Sequence, residues 1–275
     1  MESPVRVAET AATAGAEVAM AGFRTAMDVE TKSSKTDVVT SFDVSAQRAV
    51  IEVIRESRAE DAIVGEEEDE LKEIPASGPC WVVDPIDGTS NFVQGVSLWA
   101  TSVAAVEDGE VLAAVNAMPA VDDVYVTDGA ETTLNGETVS VSATADPETF
   151  TVAPNLYWSR RDADRIGDLV ASLVTEFGDV RRYGSAQASL SMVAAGQLDA
   201  TVSGGPSHPW DTVAGVSMVR AAGGTVTDVE GERWTPDATG LIASNGNAHD
   251  ELVSVVRETV GGSHGGPDAG GADRN

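Results

Sequence analysis

Asp84 and Asp87 stand three residues apart in the stretch VVDPIDGTSNF, at the end of an apolar run and with Pro85 between them. Two carboxylates that close raise each other's pKa unless a cation lies between them. Further acidic residues occupy similar junctions: Glu66 and Glu67 follow the apolar AIVG, and Asp211 opens DTVAGVSMVRAAGG. Hard divalent cations take oxygen ligands, and Mg²⁺ in particular is held by a few carboxylates together with water and substrate phosphate. Four or five such carboxylates, if they converge, suit two ions. Zinc is disfavoured, because His208, His249, His264 and Cys80 show no paired ligand spacing. A calcium loop counted from Asp84 needs oxygen ligands at its third and fifth positions and Glu at its twelfth, where the chain has Ile86, Gly88 and Gly95. The aspartyl-phosphatase signature Asp-x-Asp-Gly-Thr misses by one residue, since its nucleophile would fall on Pro85. That offset points to metal-activated water rather than a covalent phosphoenzyme. Taken singly, Glu66–Glu68 reads as solvated acidic surface and Asp211 as a helix N-cap.

Such junctions need a scaffold to aim them. Apolar residues at helical spacing predict helices over 5–29 and 43–58, with KSSKTDVVTSFD between them as a loop with a short β-prone centre. From 61 to 139, short apolar runs are separated by turn pairs such as Asp108-Gly109 and Asn135-Gly136, which predicts a mostly antiparallel sheet with helices on one side. Strands near 149–153, 179–183, 198–203, 224–229 and 240–244 then alternate with helices over 161–177, 186–196, 211–222 and 247–259, a pattern of α/β layering. The expected division is an α+β domain over 1–140, an α/β domain over 141–260, and a tail, 261–275, with almost nothing to bury and therefore disordered.

Acidic residues outnumber basic ones 45 to 17, the formal net charge is −28, and lysine occurs only at 32, 35 and 72. This balance argues against nucleic-acid or anionic-membrane binding, which basic patches drive. Spread along the whole chain, the acidity reads as the solvated surface of a salt-adapted protein, and the scarcity of lysine resembles haloarchaeal proteins. An ordinary acidic mesophile is the alternative. With Cys80 as the sole cysteine, no internal disulfide can form and a reducing cytoplasm is the expected location. No apolar run approaches the roughly 18 residues of a membrane span.

GEE at 65–67, DPIDGTSNF at 84–92 and WDTVAGVSMVRAAGGTVTD at 210–228 together resemble, in order and spacing, the inositol monophosphatase family of Mg²⁺-dependent, lithium-sensitive sugar phosphatases. The resemblance covers residues 5–259 and implies a layered αβαβα sandwich. It also implies that Glu66, Asp84 and the Ile86 carbonyl hold a first ion and that Asp84, Asp87 and Asp211 hold a second, with two or three Mg²⁺ in all. Glu66 and the Thr89 hydroxyl would position and deprotonate the attacking water, Asp43 would hydrogen-bond Thr89, and the Gly88 and Thr89 N–H groups would receive phosphate. Lys32 or Lys35 would approach the metal site. In RYGSA, Gly184 and Ala186 would offer backbone contacts to substrate and Arg182 would order the pocket, while Asp87 would accept from a substrate hydroxyl. The family usually forms homodimers.

Ser203 stands where animal members of the family carry an inositol-binding glutamate, with one extra residue before Asp211. This points away from an inositol-only enzyme and toward the archaeal subgroup that hydrolyses both inositol phosphate and fructose 1,6-bisphosphate. Arg181 and Arg182 would receive a second phosphate or else form salt bridges on an acidic surface. Asp199 is expected to fix a turn and His208 to lie exposed. The expected function is hydrolysis of a small sugar or polyol phosphate. An adenosine 3′,5′-bisphosphate phosphatase and a non-catalytic binder of metal or sugar phosphate are the alternatives.

Overall fold

The computed structural model describes residues 2–31, 38–155 and 163–261; Lys32, Lys35 and the tail from 262 onward lie outside them. Ser3 caps the first helix, α1 (Pro4–Gly22), and Pro4 opens it, where a missing N–H costs nothing. One face carries Val7, Ala8, Ala11, Ala12, Ala16 and Ala19 at helical spacing, all buried. The helix ends seven residues earlier than the 5–29 expectation. Phe23 turns extended, and Gly22 packs so closely that a Cβ there would lie 2.6 Å from the Phe42 ring. A two-stranded ribbon, β1 (Val29–Thr31) with β2 (Val38–Thr40), leads into α2 (Ser41–Ser57). The Thr40 hydroxyl and the Asp43 carboxylate form a capping box at the start of α2.

The large sheet has seven strands in chain order: β3 (Ala62–Gly65), β4 (Pro79–Asp87), β5 (Ala100–Glu107), β6 (Glu110–Met118), β7 (Asp123–Thr127), β8 (Thr132–Leu134) and β9 (Glu137–Val139). β3 pairs parallel with β4, and every other neighbour is antiparallel. A short helix, α3 (Thr89–Gln94), follows β4. Residues Cys80–Asp87 are buried throughout, so β4 is apolar on both faces. Trp81, Val83 and Val103 pack against α1 and α2, while Cys80, Val82 and Ala104 face the other way. A strand buried on both faces needs cover on both. This corrects the expectation of helices on one side only.

The second cover comes from later in the chain. Residues 151–261 form β10 (Thr151–Pro154), α4 (Ala163–Glu176), β11 (Asp179–Val180), α5 (Ala186–Ala194), β12 (Ala200–Ser203), α6 (Pro209–Ala221), β13 (Thr225–Thr227), β14 (Leu241–Ser244) and α7 (His249–Gly261). Their strands make a five-stranded sheet ordered β11-β10-β12-β14-β13, parallel about β10 and antiparallel about β14. α5 and α6 lie between the two sheets, where Leu190, Val193, Val213, Val216 and Met218 share one core with Val82, Ala104 and Ala114 on one side and Ala153 and Ala243 on the other. α4 and α7 cover the far face through Leu169, Leu173, Leu252 and Val256. The result is the five-layered αβαβα arrangement. Asp199 fixes a junction, accepting from the Ser142 hydroxyl at 2.5 Å and the Thr151 N–H at 2.7 Å.

Candidate metal centre

In a regular strand, residues three apart point to opposite faces. Between Asp84 and Asp87 the register with β5 shifts: Asp84 pairs with Ser102 and Asp87 with Ala100, so three steps along β4 match two along β5. This bulge changes the parity and lets both carboxylates enter one cleft. Pro85 suits a bulge, having no N–H to leave unpaired, and its carbonyl accepts from the Thr101 hydroxyl at 2.8 Å.

Asp87 reaches across to the start of α5. Its Oδ2 accepts a very short bond from the Ser185 hydroxyl and a 2.7 Å bond from the Gln187 N–H, and its Oδ1 accepts from the Ala186 N–H at 3.3 Å. Burial pushes its pKa up to about 6 against the opposing pull of those donors. The Ala186 N–H, expected to face substrate, is thus turned onto Asp87. Gly184 takes a positive φ of 79° and packs on Asn91, whose amide donates to the carbonyls of Leu98 at 2.6 Å and Tyr183 at 2.7 Å. Gly88, at φ 95°, faces the same segment: a Cβ there would lie 3.2 Å from the Gly184 carbonyl oxygen and from Ser185 Cβ.

Asp211 sits in the first turn of α6, where the His208 N–H donates to its Oδ2 at 3.3 Å. One oxygen from each of Asp84, Asp87 and Asp211 falls within 4.8 Å of the others, and all three residues are buried. Asp84 accepts from the Ile86 N–H at 3.0 Å. Burial, followed by the charges of Glu66, Asp87 and Asp211, holds its carboxyl well above the usual carboxylate range, and Glu66 lies within hydrogen-bonding reach of it. The donors are all carboxylate oxygens, which fits a hard divalent cation and not zinc or copper.

Glu66 is carried by a loop held on two sides. Gln47 on α2 clasps the Glu67 backbone, donating to its carbonyl at 2.7 Å and accepting from its N–H at 2.9 Å. Lys72 donates to the carbonyls of Gly65, Glu66, Glu67 and Glu68. Glu67 is buried with its backbone bonded to Gln47, and Glu68 forms an exposed ion pair with Arg48. On the opposite wall, Asp43 Oδ2 accepts from the Thr40 N–H at 2.8 Å and hydroxyl at 2.7 Å. Asp43 Oδ1 and the Ile86 carbonyl oxygen each lie 3.1 Å from the Thr89 hydroxyl. Burial raises the Asp43 pKa, partly offset by the Thr40 bonds.

The structure therefore brings Asp43, Glu66, Asp84, Ile86, Asp87, Gly88, Thr89, Gly184, Ala186 and Asp211 into one contiguous set of contacts. Arg182 is exposed beside it, and Arg181 pairs with Asp179 at 2.6 Å on the surface. His208 is exposed and stacks on Trp210, with ring centroids 4.6 Å apart.

Sequence reasoning missed Gln47, Lys72, Asn91, Ser185 and Gln187, whose partners are mostly backbone groups, brought within reach by the fold rather than by any side-chain spacing. Gln187 is fully buried: its Nε2 donates to the Trp210 carbonyl at 2.6 Å, and its Oε1 accepts from Gly215 N–H at 2.9 Å and Asn116 Nδ2 at 3.0 Å. Its own N–H holds Asp87, so one residue of α5 links the end of β4 to α6, which carries Asp211. Gln187→Leu leaves buried polar groups unpaired at about 1–3 kcal/mol each and is expected to lower stability by about 3 kcal/mol, read as a fall in the urea midpoint. An unchanged midpoint would show that this network does not secure α5 to α6.

Fold and cluster together define a layered α/β protein with a buried, oxygen-only cation cradle at the bulged end of a central strand. Residues 1–260 match the inositol monophosphatase family, and the chain belongs to that family. It is 36% identical over 234 residues to the fructose-1,6-bisphosphatase/inositol-1-monophosphatase of Thermotoga maritima, covering 85% of this chain and 88% of that one. It is 30% identical over 263 residues to the Nus factor SuhB of Escherichia coli, covering 94% and 98% respectively. The solved Thermotoga maritima IMPase superposes with a TM-score of 0.83 at 32% identity, covering 94% of this chain and 96% of that one.

Proposed function

We propose that this protein hydrolyses the phosphate monoester of a small sugar or polyol, using Mg²⁺ held by Glu66, Asp84, the Ile86 carbonyl, Asp87 and Asp211. The observation that carries this reading is the convergence of Asp84, Asp87 and Asp211 on one buried point. Divalent cations bound there would supply Lewis-acid activation of water and charge stabilisation of the departing alkoxide. The rest of the chemistry belongs to the chain. Glu66 and Thr89 orient the attacking water and take its proton, and Asp43 fixes the Thr89 hydroxyl. The N–H groups of Gly88 and Thr89 receive phosphate oxygens. Asp87 and the Gly184 backbone face the substrate hydroxyls, with Ala186 acting through its N–H bond to Asp87 and Arg182 at the rim.

Inositol 1-phosphate and fructose 1,6-bisphosphate are the substrates this reading favours, supported by the Thermotoga relative's two named activities. The similarity to a Nus factor favours a second reading, in which the protein also acts as a regulator. Molar-salt adaptation is supported by the net charge of −28 and the rarity of lysine. The relatives named above are bacterial and lend no support to an archaeal origin. A cytoplasmic homodimer completes the proposal.

The test is phosphate release in concentrated KCl with Mg²⁺ from inositol 1-phosphate, fructose 1,6-bisphosphate and adenosine 3′,5′-bisphosphate. Release from one of the first two, abolished by chelation, is expected. No release from any of the three would sink the enzymatic reading.

A further inference from the structure

The Lys72 ammonium makes an unusual set of contacts for a surface side chain. It lies 2.8 Å from the Gly65 carbonyl oxygen, 3.0 Å from that of Glu66, 3.1 Å from that of Glu68 and 3.4 Å from that of Glu67. It also sits 5.6 Å from the centroid of the Trp210 ring, within the range of a cation–π contact. An ammonium has three N–H donors, so four carbonyls around it form a coordination shell rather than a set of separate linear bonds. Successive carbonyls turned inward on one point repel one another unless a positive charge lies at the centre. The chain bends to achieve this: Glu68 takes a left-handed φ of 56°, uncommon for a residue with a side chain.

We propose that Lys72 is a positioning residue whose ammonium acts as a tethered monovalent cation. The loop carrying Glu66 is wound on it, and contact with Trp210 registers that loop against the helix turn carrying Asp211. The inference rests on the reading of Glu66 and Asp211 as metal ligands. Gln47 holds the same loop independently from the α2 side, so loss of Lys72 should loosen the loop without unfolding the protein.

The test is Mn²⁺ binding by the intact chain, followed by electron paramagnetic resonance in tetramethylammonium chloride of fixed ionic strength. Lys72→Met is expected to weaken Mn²⁺ binding about tenfold, the scale on which outer contacts tune metal sites, with a wild-type circular dichroism spectrum. In Lys72→Ala, added ethylammonium or K⁺ should restore binding, because either can occupy the carbonyl shell, whereas tetramethylammonium has no N–H to offer. Mn²⁺ binding unchanged in Lys72→Met, or a loss that no small cation restores, would overturn the proposal. If Lys72→Met does not fold, Lys72→Ala refolded with and without ethylammonium tests the same point: recovery of Mn²⁺ binding only with ethylammonium supports the proposal, and equal binding in both overturns it. Wild-type protein that binds no Mn²⁺ would instead overturn the metal reading itself, and this inference with it.

Discussion

Asp84→Asn is expected to lower phosphate release by on the order of 10³-fold, the scale seen when a single preorganised electrostatic group is removed from an active site. The same change should stabilise the metal-free protein at neutral pH. Asparagine keeps the oxygen that accepts from the Ile86 N–H but has no proton to lose, so it avoids the cost of forming a buried carboxylate beside Glu66, Asp87 and Asp211. The sign follows from the raised pKa of Asp84. The folded chain holds a proton that the unfolded chain releases near its ordinary value of 3.8, so this residue's contribution is fully present below that pH and is lost as pH rises through the folded value. In chelator at pH 7, the variant should therefore unfold at higher urea than wild type, and the gap should close near pH 4. Saturating Mg²⁺ should reverse the order, since only the intact cluster gains binding free energy. Equal urea midpoints in chelator at pH 7 would mean that the cluster carries no such repulsion.

Thr89→Ala should lower kcat by on the order of 10²-fold, the lower end of what a positioned proton-transfer group supplies, and leave KM for the sugar phosphate nearly unchanged. The Thr89 hydroxyl lies 3.1 Å from two acceptors, Asp43 Oδ1 and the Ile86 carbonyl oxygen. Its single proton goes to one of them, and a lone pair is left to accept a hydrogen bond from the attacking water and so to orient it toward Glu66. Thr89→Ser should retain most of the activity. Asp43→Asn should cost about tenfold, because it disturbs the group that orients Thr89 rather than Thr89 itself. A wild-type kcat in Thr89→Ala would remove the hydroxyl from the reaction.

Asp84, Asp87, Glu66 and Asp211 stood out in the sequence by their junction positions, but it was the resemblance carried by three ordered motifs that assigned Glu66 and Asp211 to a cation and Asp43 to Thr89. The layering was legible because apolar alternation and turn pairs mark the strands. What places Asp84 and Asp87 on one side was not legible: plain strand parity puts residues three apart on opposite faces, and the bulge opposite Ser102 and Ala100 emerges only in the pairing. Gln187 and Lys72 escaped for a related reason. Their partners are carbonyls and N–H groups brought near by loop closure and helix packing, and no side-chain spacing encodes those contacts. The end of α1 at Gly22 likewise depends on the Phe42 ring from the next helix, which no local propensity for 5–29 could reveal.

The layer formed by α5 and α6 between the two sheets sets the order in which the parts of the chain can be buried. The large sheet pairs its strands in chain order and can form as the chain emerges, but the face carrying Val82 and Ala104 stays bare until residues up to Ala221 have arrived. A chain halted before Pro209 carries Asp84 and Asp87 without Asp211, and an adhesive sheet without its cover. The cation cluster and the cover of the large sheet are therefore completed by the same helix, α6.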